Sequence, residues 1–320
     1  MNNETTRSVD FVLTLLTVIH GSIASIMSTI VFFIIIYHQH NNRIKQEERI
    51  TLILCANIYI SIFLCSIILI LLNIQTLLGD LYDLNFDSTP CVFLGYINAV
   101  LICNLYYGFT GQALYRLYRI VYSTYRWFHV YWLYIIAVPV QFIIACLIMC
   151  PLFFRHDIIY IPDLHQCFIP NHNTLGTIWI IVFMYGLPIL CLLVIYIHIT
   201  IHIRQQSTNQ TLAVKRRQAR DFVVIRRIII LNSILFILGV PGMILLVINY
   251  VTGNGLTLNY RITWFSFELS TIVLSILMIV MTPQLKTIVL SKWKRNRVIP
   301  IAAIAVVENS VQIRIPSNLQ

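Results

Sequence analysis

Residues 51–77 read TLILCANIYISIFLCSIILILLNIQTL, a stretch that contains no charged side chain. A helix rises about 1.5 Å per residue, so about 20 apolar residues cross the roughly 30 Å hydrocarbon core of a bilayer. A bilayer core offers no water to backbone polar groups, so a continuous apolar run of this length must be helical. The stretch therefore predicts a transmembrane helix.

Similar apolar stretches recur along almost the whole chain. They cover residues 11–37, 51–77, 92–115, 131–152, 176–203, 223–250 and 262–281. Apolar residues make up 58% of the chain and charged residues 11%, whereas soluble domains average about 45–50% and 25%. A soluble helical bundle would show polar faces that these stretches mostly lack. The sequence predicts an all-α membrane protein, a seven-transmembrane helix bundle.

The basic residues lie on one side of the predicted bundle. Of the 22 Lys and Arg residues, only Arg7, Arg155 and Arg261 fall outside the first, third and fifth connections and the C-terminal tail. The positive-inside rule then places the N-terminus outside and the C-terminus in the cytoplasm of a multi-pass plasma-membrane protein. The net charge of +10 thus faces anionic membrane lipids and cytoplasmic partners, and no nucleic-acid partner is expected.

The predicted segments divide the chain into four parts. These are an extracellular arm (1–10), the seven-transmembrane domain (11–285), an amphipathic cytoplasmic helix eight (286–297) and a cytoplasmic tail (298–320). The first span is expected to act as a signal anchor. Asn3, in the sequence Asn-Glu-Thr, is a glycosylation candidate on the outer side.

Two of the eight cysteines, Cys91 and Cys167, fall in predicted extracellular positions, where oxidising conditions allow pairing. The other six lie within or at the ends of predicted spans, where a thiol usually packs as a small apolar group. A Cys91–Cys167 disulfide is expected to tie the outer end of the third span to the second outer loop.

Several spacings, taken together, resemble a known family. Arg116 follows Cys91 by 25 residues, Tyr196 follows Pro188 by eight, and Pro241 follows Asp221 by twenty. The run Tyr115-Arg116-Leu117 is similar to an Asp-Arg-Tyr triplet. Over roughly residues 11–297 the chain resembles the rhodopsin-like (class A) G-protein-coupled receptors.

The resemblance implies a receptor without cofactor or enzyme activity. An extracellular ligand, a peptide or a chemosensory small molecule, would drive the sixth helix outward to engage a heterotrimeric G protein. Arg116 and Asp221 would form a cytoplasmic latch, unless Asp221 is only one acid at a solvated helix end. Pro188 and Tyr196 would belong to the fifth helix, and Pro241 would be the hinge of the sixth, unless its kink is purely structural.

The chain also departs from the family pattern. The acid of the arginine triplet is replaced by Tyr115, the usual acid of the second helix by Ile62, and a tryptophan of the fourth by Gln141. The run starting at Thr282-Pro283 aligns either with an Asn-Pro-x-x-Tyr motif or with the start of helix eight. We favour helix eight, because residues 262–281 already span the bilayer.

Five residues are candidates for a ligand pocket: Asn98, Ile102, Tyr185, Trp264 and Glu268. Asn98 stands where amine receptors carry aspartate, so a monoamine is disfavoured. Glu268 lies deep in the last span, where an ionisable group is a functional-site candidate. It could pair with a cationic ligand or with Arg261, or be protonated or hydrogen-bonded internally. Tyr185 and Trp264 could instead be packing or membrane-interface residues.

Two other function classes compete with the receptor. A small-solute transporter or channel subunit would carry charges along a path, broken helices or repeats, and the sequence has one clear buried acid and no repeat. A membrane enzyme would need paired carboxylates or a catalytic motif near a membrane face, which the sequence lacks.

Overall fold

A computed structural model describes residues 3–41, 45–122, 125–170, 173–206, 244, 257–282 and 285–289. The α-helices are α1 (Asn3–Asn41), α2 (Gln46–Tyr82), α3 (Thr89–Ile120), α4 (Tyr131–Phe154), α5 (Thr174–Trp179), α6 (Leu187–Gln206) and α7 (Thr257–Met281). A 3₁₀ helix (Arg126–His129) precedes α4, a π-helical segment (Ile180–Gly186) joins α5 to α6, and residues 285–289 are helical. Between α4 and α5, strands β1 (Ile159–Ile161) and β2 (Gln166–Phe168) form an antiparallel hairpin.

Six helical units of the described residues are long and apolar enough to cross a membrane. They are α1, α2, α3, α4, the continuous run from α5 through α6, and α7. The predicted all-α, multi-pass membrane architecture agrees with these six helices. The predicted sixth span, residues 223–250, lies outside the described residues apart from Ile244.

The helices extend beyond the apolar stretches that predicted them. α1 begins at Asn3 rather than at residue 11, so residues 3–10 continue a helix instead of forming a separate arm. An apolar run marks the part of a helix that lies in hydrocarbon, while backbone hydrogen bonding continues past it into the polar region. The longer helix places Asp10 within reach of α7, where Arg261 donates to the Asp10 carbonyl oxygen at 3.2 Å.

α4 exposes a wide apolar surface. Trp132 and Leu147 are 67% and 65% exposed, whereas Met149 and Leu152 on the inner face are fully buried. In water such a surface would be strongly unfavourable. The outer face of α4 is therefore suited to contact lipid, and its inner face packs on α3.

The core of the bundle is built mainly from α2 and α3, with buried residues of α1, α4, α6 and α7 packed against them. The Tyr59 hydroxyl of α2 donates to the carbonyl oxygen of Ser275 in α7 at 2.8 Å. α1 approaches closely at Gly21, where a Cβ would lie 3.0 Å from Ile70 of α2 and 3.4 Å from the Glu268 carboxyl group of α7. These contacts hold α1, α2 and α7 as one packed unit.

A π-helical segment, Ile180–Gly186, stands immediately before Pro188. Proline has no N–H to donate to the preceding turn, and its ring crowds the carbonyl there, so the helix ahead of it adjusts. A π segment widens the turn by one residue and changes which side chains face inward. The position of Pro188 therefore coincides with a local change of helix type.

The hairpin was not predicted from the sequence. Its tip turns at His165, which has a φ of 50°, and the imidazole rests directly over Gly79 of α2. On the other side, the carbonyl oxygen of Cys167 would lie only 2.4 Å from a Cβ at Gly95 of α3. Two glycines thus allow the hairpin to lie flat against the ends of α2 and α3.

Candidate functional site

The predicted disulfide between Cys91 and Cys167 is present, with a Cα–Cα distance of 5.5 Å. It joins Cys91, in the first turn of α3, to Cys167 in β2. Cys167 is the residue that pairs with Tyr160 of β1 in the hairpin. The bond confirms the predicted pairing. It also fixes the hairpin at the end of the bundle where α3 begins, which we call the hairpin end.

A small cavity of about 30 Å³ lies at the hairpin end, between α3, the end of β2, α5, the π segment and α7. Its wall comprises Ile102, Phe168, Ile169, Thr177, Ile180, Met184, Tyr185, Asn259, Tyr260, Thr263 and Trp264. This is room for about two water molecules, far below the about 300–1,000 Å³ that is typical of small-molecule sites. Three predicted pocket residues, Ile102, Tyr185 and Trp264, meet around this cavity.

Aromatic rings shape the cavity. The Phe168 ring lies edge-on to Trp264, with centroids 5.0 Å apart, and Tyr185 lies edge-on to Tyr106 of α3 at 4.9 Å. Tyr260 donates a hydrogen bond to the carbonyl oxygen of Ile169 at 3.0 Å. These contacts attach the chain after β2 to α7, so the cavity is covered at the hairpin end by Phe168 and Ile169.

The other two predicted pocket residues do not line this cavity. Glu268 is fully buried, and its Oε2 accepts hydrogen bonds from Ser66 of α2 at 3.1 Å and Thr271 of α7 at 3.3 Å. Asn98 is fully buried in α3, with no hydrogen-bond partner for its amide among the described residues. Of the alternatives for Glu268, the structure matches the internally hydrogen-bonded carboxyl group, directed at α1 and α2.

Arg261 pairs with Asp80 rather than with Glu268. Its guanidinium donates to both carboxylate oxygens of Asp80, at 2.7 and 3.1 Å, and to Thr14 Oγ1 at 2.7 Å. The Arg261 side chain is 5% exposed and that of Asp80 is 18% exposed. These contacts of Arg261 link α7 to α1 and α2.

Arg116 lies at the opposite end of α3 from the disulfide. Its Nη1 is buried without a hydrogen-bond partner among the described residues, and the guanidinium is within electrostatic range of Tyr196 and Cys55. Two further predicted switch residues, Pro188 and Tyr196, lie on α6. The remaining two of the five, Asp221 and Pro241, lie outside the described residues.

Tyr115 stands where rhodopsin-like receptors carry an acid next to the arginine. It packs against neighbouring helices and forms no ion pair within the described part of the chain. Its hydroxyl donates to the carbonyl oxygen of Glu47 at 3.1 Å, and its ring lies edge-on to Tyr134 of α4 at 5.0 Å. The neighbouring cation Arg119 pairs with the Glu47 carboxylate at 2.9 Å. Tyr115 therefore supplies a helix-to-helix contact, and Arg116 has no adjacent acid on α3.

A polar network in the middle of the bundle was missed by the sequence analysis. Gln141 of α4 donates from Nε2 to Asn104 Oδ1 at 2.9 Å and accepts from Asn57 Nδ2 at 3.3 Å. Asn104 in turn donates to Ser61 Oγ at 2.8 Å. Gln141 stands where rhodopsin-like receptors carry a tryptophan. Its amide lies in an otherwise apolar stretch, and this is the sequence feature from which the network could have been predicted.

The remaining predicted sites are only partly described. Asn3 is the first residue of α1, and its side chain is outside the described part. α7 ends at Met281 and residues 285–289 form a further helical segment, in which Ile288 is buried and Lys286 is exposed. This agrees with the amphipathic pattern predicted for the start of helix eight. Residues 290–320 lie outside the described part.

Comparison of the sequence with protein-family models and with curated proteins finds no match to either.

Proposed function

We propose that this protein is a receptor of the rhodopsin-like kind, which transmits an extracellular ligand signal to a heterotrimeric G protein. The proposal includes a sixth span at residues 223–250, an outer N-terminus and a plasma-membrane location. The hairpin end then faces outside, and the Arg116 end faces the cytoplasm. The basic connections meet anionic lipid on that side.

The observation that carries the proposal is the two-ended arrangement of α3. At one end Cys91 holds the hairpin beside a small cavity that three predicted pocket residues line. At the other end, 25 residues and about 37 Å away, the half-buried Arg116 has a buried guanidinium nitrogen, Nη1, without a hydrogen-bond partner among the described residues. One helix thus connects a candidate ligand site to a partly buried cation.

This arrangement supports a two-state mechanism. A buried cation without a partner is unfavourable and is stabilised by any acid that reaches it. Asp221 is proposed as that acid in the resting state, and the G protein would displace it in the active state. A ligand shifts the equilibrium only if it binds one of the two states more tightly. The π segment beside Pro188 lines the cavity and continues into α6, where Tyr196 lies near Arg116.

The test is G-protein activation in cells that express the wild type, Asp221→Ala, Arg116→Ala or Arg119→Ala at matched surface levels. Asp221→Ala is expected to raise the basal signal because the latch is lost. Arg116→Ala is expected to abolish coupling. The matched control Arg119→Ala, one turn away on α3 and paired with Glu47 at an exposed position, should remain close to wild type.

The proposal fails if neither the wild type nor Asp221→Ala activates any G-protein class while both reach the cell surface. Solute uptake or ion current dependent on Glu268 would then favour the transporter or channel class, in which a buried carboxyl group serves the permeation path. Epitope tags provide a separate check of orientation. An N-terminal tag should be accessible to antibody on intact cells, and a C-terminal tag only after permeabilisation.

A further inference from the structure

Two exposed tryptophans flank the start of α4. Trp127, in the 3₁₀ helix, is 84% exposed, and Trp132, in the first turn of α4, is 67% exposed. The other two tryptophans of the described part differ, since Trp264 is buried and Trp179 is half-buried and donates to the carbonyl oxygen of Ile148 at 3.0 Å. An indole combines a large apolar body with one N–H donor, and tryptophan is accordingly enriched where a bilayer meets water.

Trp132 begins the exposed apolar stripe of α4. Further exposed apolar side chains follow it at Ile136, Ile143, Leu147 and Phe154. Phe154 follows Trp132 by 22 residues, which is about 33 Å of helix and close to the thickness of a hydrocarbon core, about 30 Å. A bilayer that covers this stripe therefore has one of its two boundaries close to Trp132.

The connection between α3 and α4 attaches one aromatic ring to the bundle and exposes the next. The Phe128 ring stacks on Tyr118 of α3, with centroids 4.1 Å apart and planes 8° from parallel. The carbonyl oxygen of Phe128 accepts a hydrogen bond from the Tyr134 hydroxyl of α4 at 2.8 Å. Phe128 is thus held by two helices, and the adjacent Trp127 is presented outside them at the level where the stripe ends.

The charges of this connection suit phospholipid. Residues 116–132 contain Arg116, Arg119 and Arg126 and no Asp or Glu. Arg119 is 38% exposed at the end of α3, where it also pairs with Glu47. Guanidinium groups bind phosphate oxygens, so arginines at the height of the indole rings complement the phosphate layer of a bilayer.

We propose that the connection between α3 and α4 is a membrane anchor, in which Trp127 and Trp132 insert into the headgroup layer of a phospholipid bilayer. The segment lies along the bilayer surface, and its indole rings continue the lipid-facing stripe of α4. The inference requires only that the helices span a membrane. It therefore holds for a receptor and for a transporter, and its test is independent of G-protein coupling.

The test measures which quencher reaches Trp127 in the full-length protein, reconstituted in phosphatidylcholine nanodiscs. The emission of Trp127 is the difference between the wild type and Trp127→Phe. We expect lipid brominated near the headgroup to quench this emission strongly. Lipid brominated near the chain end and acrylamide in the water should each quench it less. Because Trp127 is 84% exposed, Trp127→Phe should fold like the wild type.

Two matched substitutions accompany this measurement. Trp132→Phe removes the second proposed anchor, and the emission that it removes should show the same preference for bromine near the headgroup. Trp264→Phe is the same chemical change at a buried indole. The emission lost in Trp264→Phe should be quenched less than that of Trp127 by the lipid brominated near the headgroup.

Strong quenching of Trp127 by acrylamide, with little effect of either brominated lipid, would place the indole in water and overturn the anchor. Strongest quenching by bromine near the chain end would also reject the headgroup position. Addition of a G protein provides a further discrimination. If Trp127 is shielded from acrylamide only when the G protein is present, the occupant of this surface is that protein and the lipid anchor is rejected.

Discussion

Replacing Arg261 with methionine should destabilise the bundle, because the guanidinium joins three helices. Arg261 donates to both oxygens of Asp80, to Thr14 Oγ1 and to the carbonyl oxygen of Asp10 at 3.2 Å. Removing one partner of a buried ion pair costs about 3–5 kcal/mol. Asp80 is 18% exposed, so water can partly solvate the carboxylate left behind, and the lower end of that range applies.

The expected loss is therefore about 3 kcal/mol, or roughly 5–10 °C in the midpoint of thermal unfolding. Arg261→Lys keeps the charge but cannot reproduce the two-pronged contact with Asp80, so its midpoint should fall between those of Arg261→Met and the wild type. The midpoint is measured in detergent micelles or nanodiscs by intrinsic fluorescence.

An exposed ion pair supplies the control. The side chains of Arg119 and Glu47 are 38% and 52% exposed, with a shortest N–O distance of 2.9 Å. Arg119→Met should cost less than about 1 kcal/mol, because exposed pairs contribute little. The reasoning is refuted if Arg261→Met unfolds within 1 °C of the wild type, or if the two methionine variants lose equal stability.

Three further predictions concern the hairpin end and the polar network. Gly79→Ala places a Cβ 2.1 Å from the His165 ring and should lower the free energy of unfolding by about 1–3 kcal/mol. Adding His165→Gly should restore the unfolding midpoint. A double variant that stays as unstable as Gly79→Ala would contradict the contact. Gln141→Leu leaves buried amides without partners and should cost about 1–3 kcal/mol, with an unchanged midpoint counting against the network. A Cys91→Ala, Cys167→Ala double variant opens a loop of 76 residues and should lower the free energy of unfolding by about 4 kcal/mol. The wild type under reducing conditions should unfold at a similarly lowered temperature.

The membrane helices were predictable because each apolar stretch is sufficient evidence by itself. A run such as residues 51–77 can satisfy its backbone in hydrocarbon only as a helix, so no knowledge of its neighbours is needed. The disulfide was predictable for a related reason. The charge pattern predicts which connections lie outside, and only Cys91 and Cys167 fall in those predicted positions.

The candidate site was predicted only in part. Ile102, Tyr185 and Trp264 do line one cavity, whereas Glu268 faces a different pair of helices. Spacing along one helix gives the height of a side chain in the membrane, but the side toward which it points depends on how neighbouring helices pack. The π segment at Ile180–Gly186 changes that direction further, and short apolar runs give no sign of it.

The sequence alone determined the class of the chain as a multi-pass helical membrane protein and the pairing of its two outer cysteines, because both follow from local composition and from the side of the membrane that charge selects. The tertiary structure decided which polar groups meet. Arg261 and Asp80 are 181 residues apart and Asn57 and Gln141 are 84 apart, and nothing in either local sequence names its partner. Contacts over such separations are set by helix packing, which no local stretch of sequence specifies.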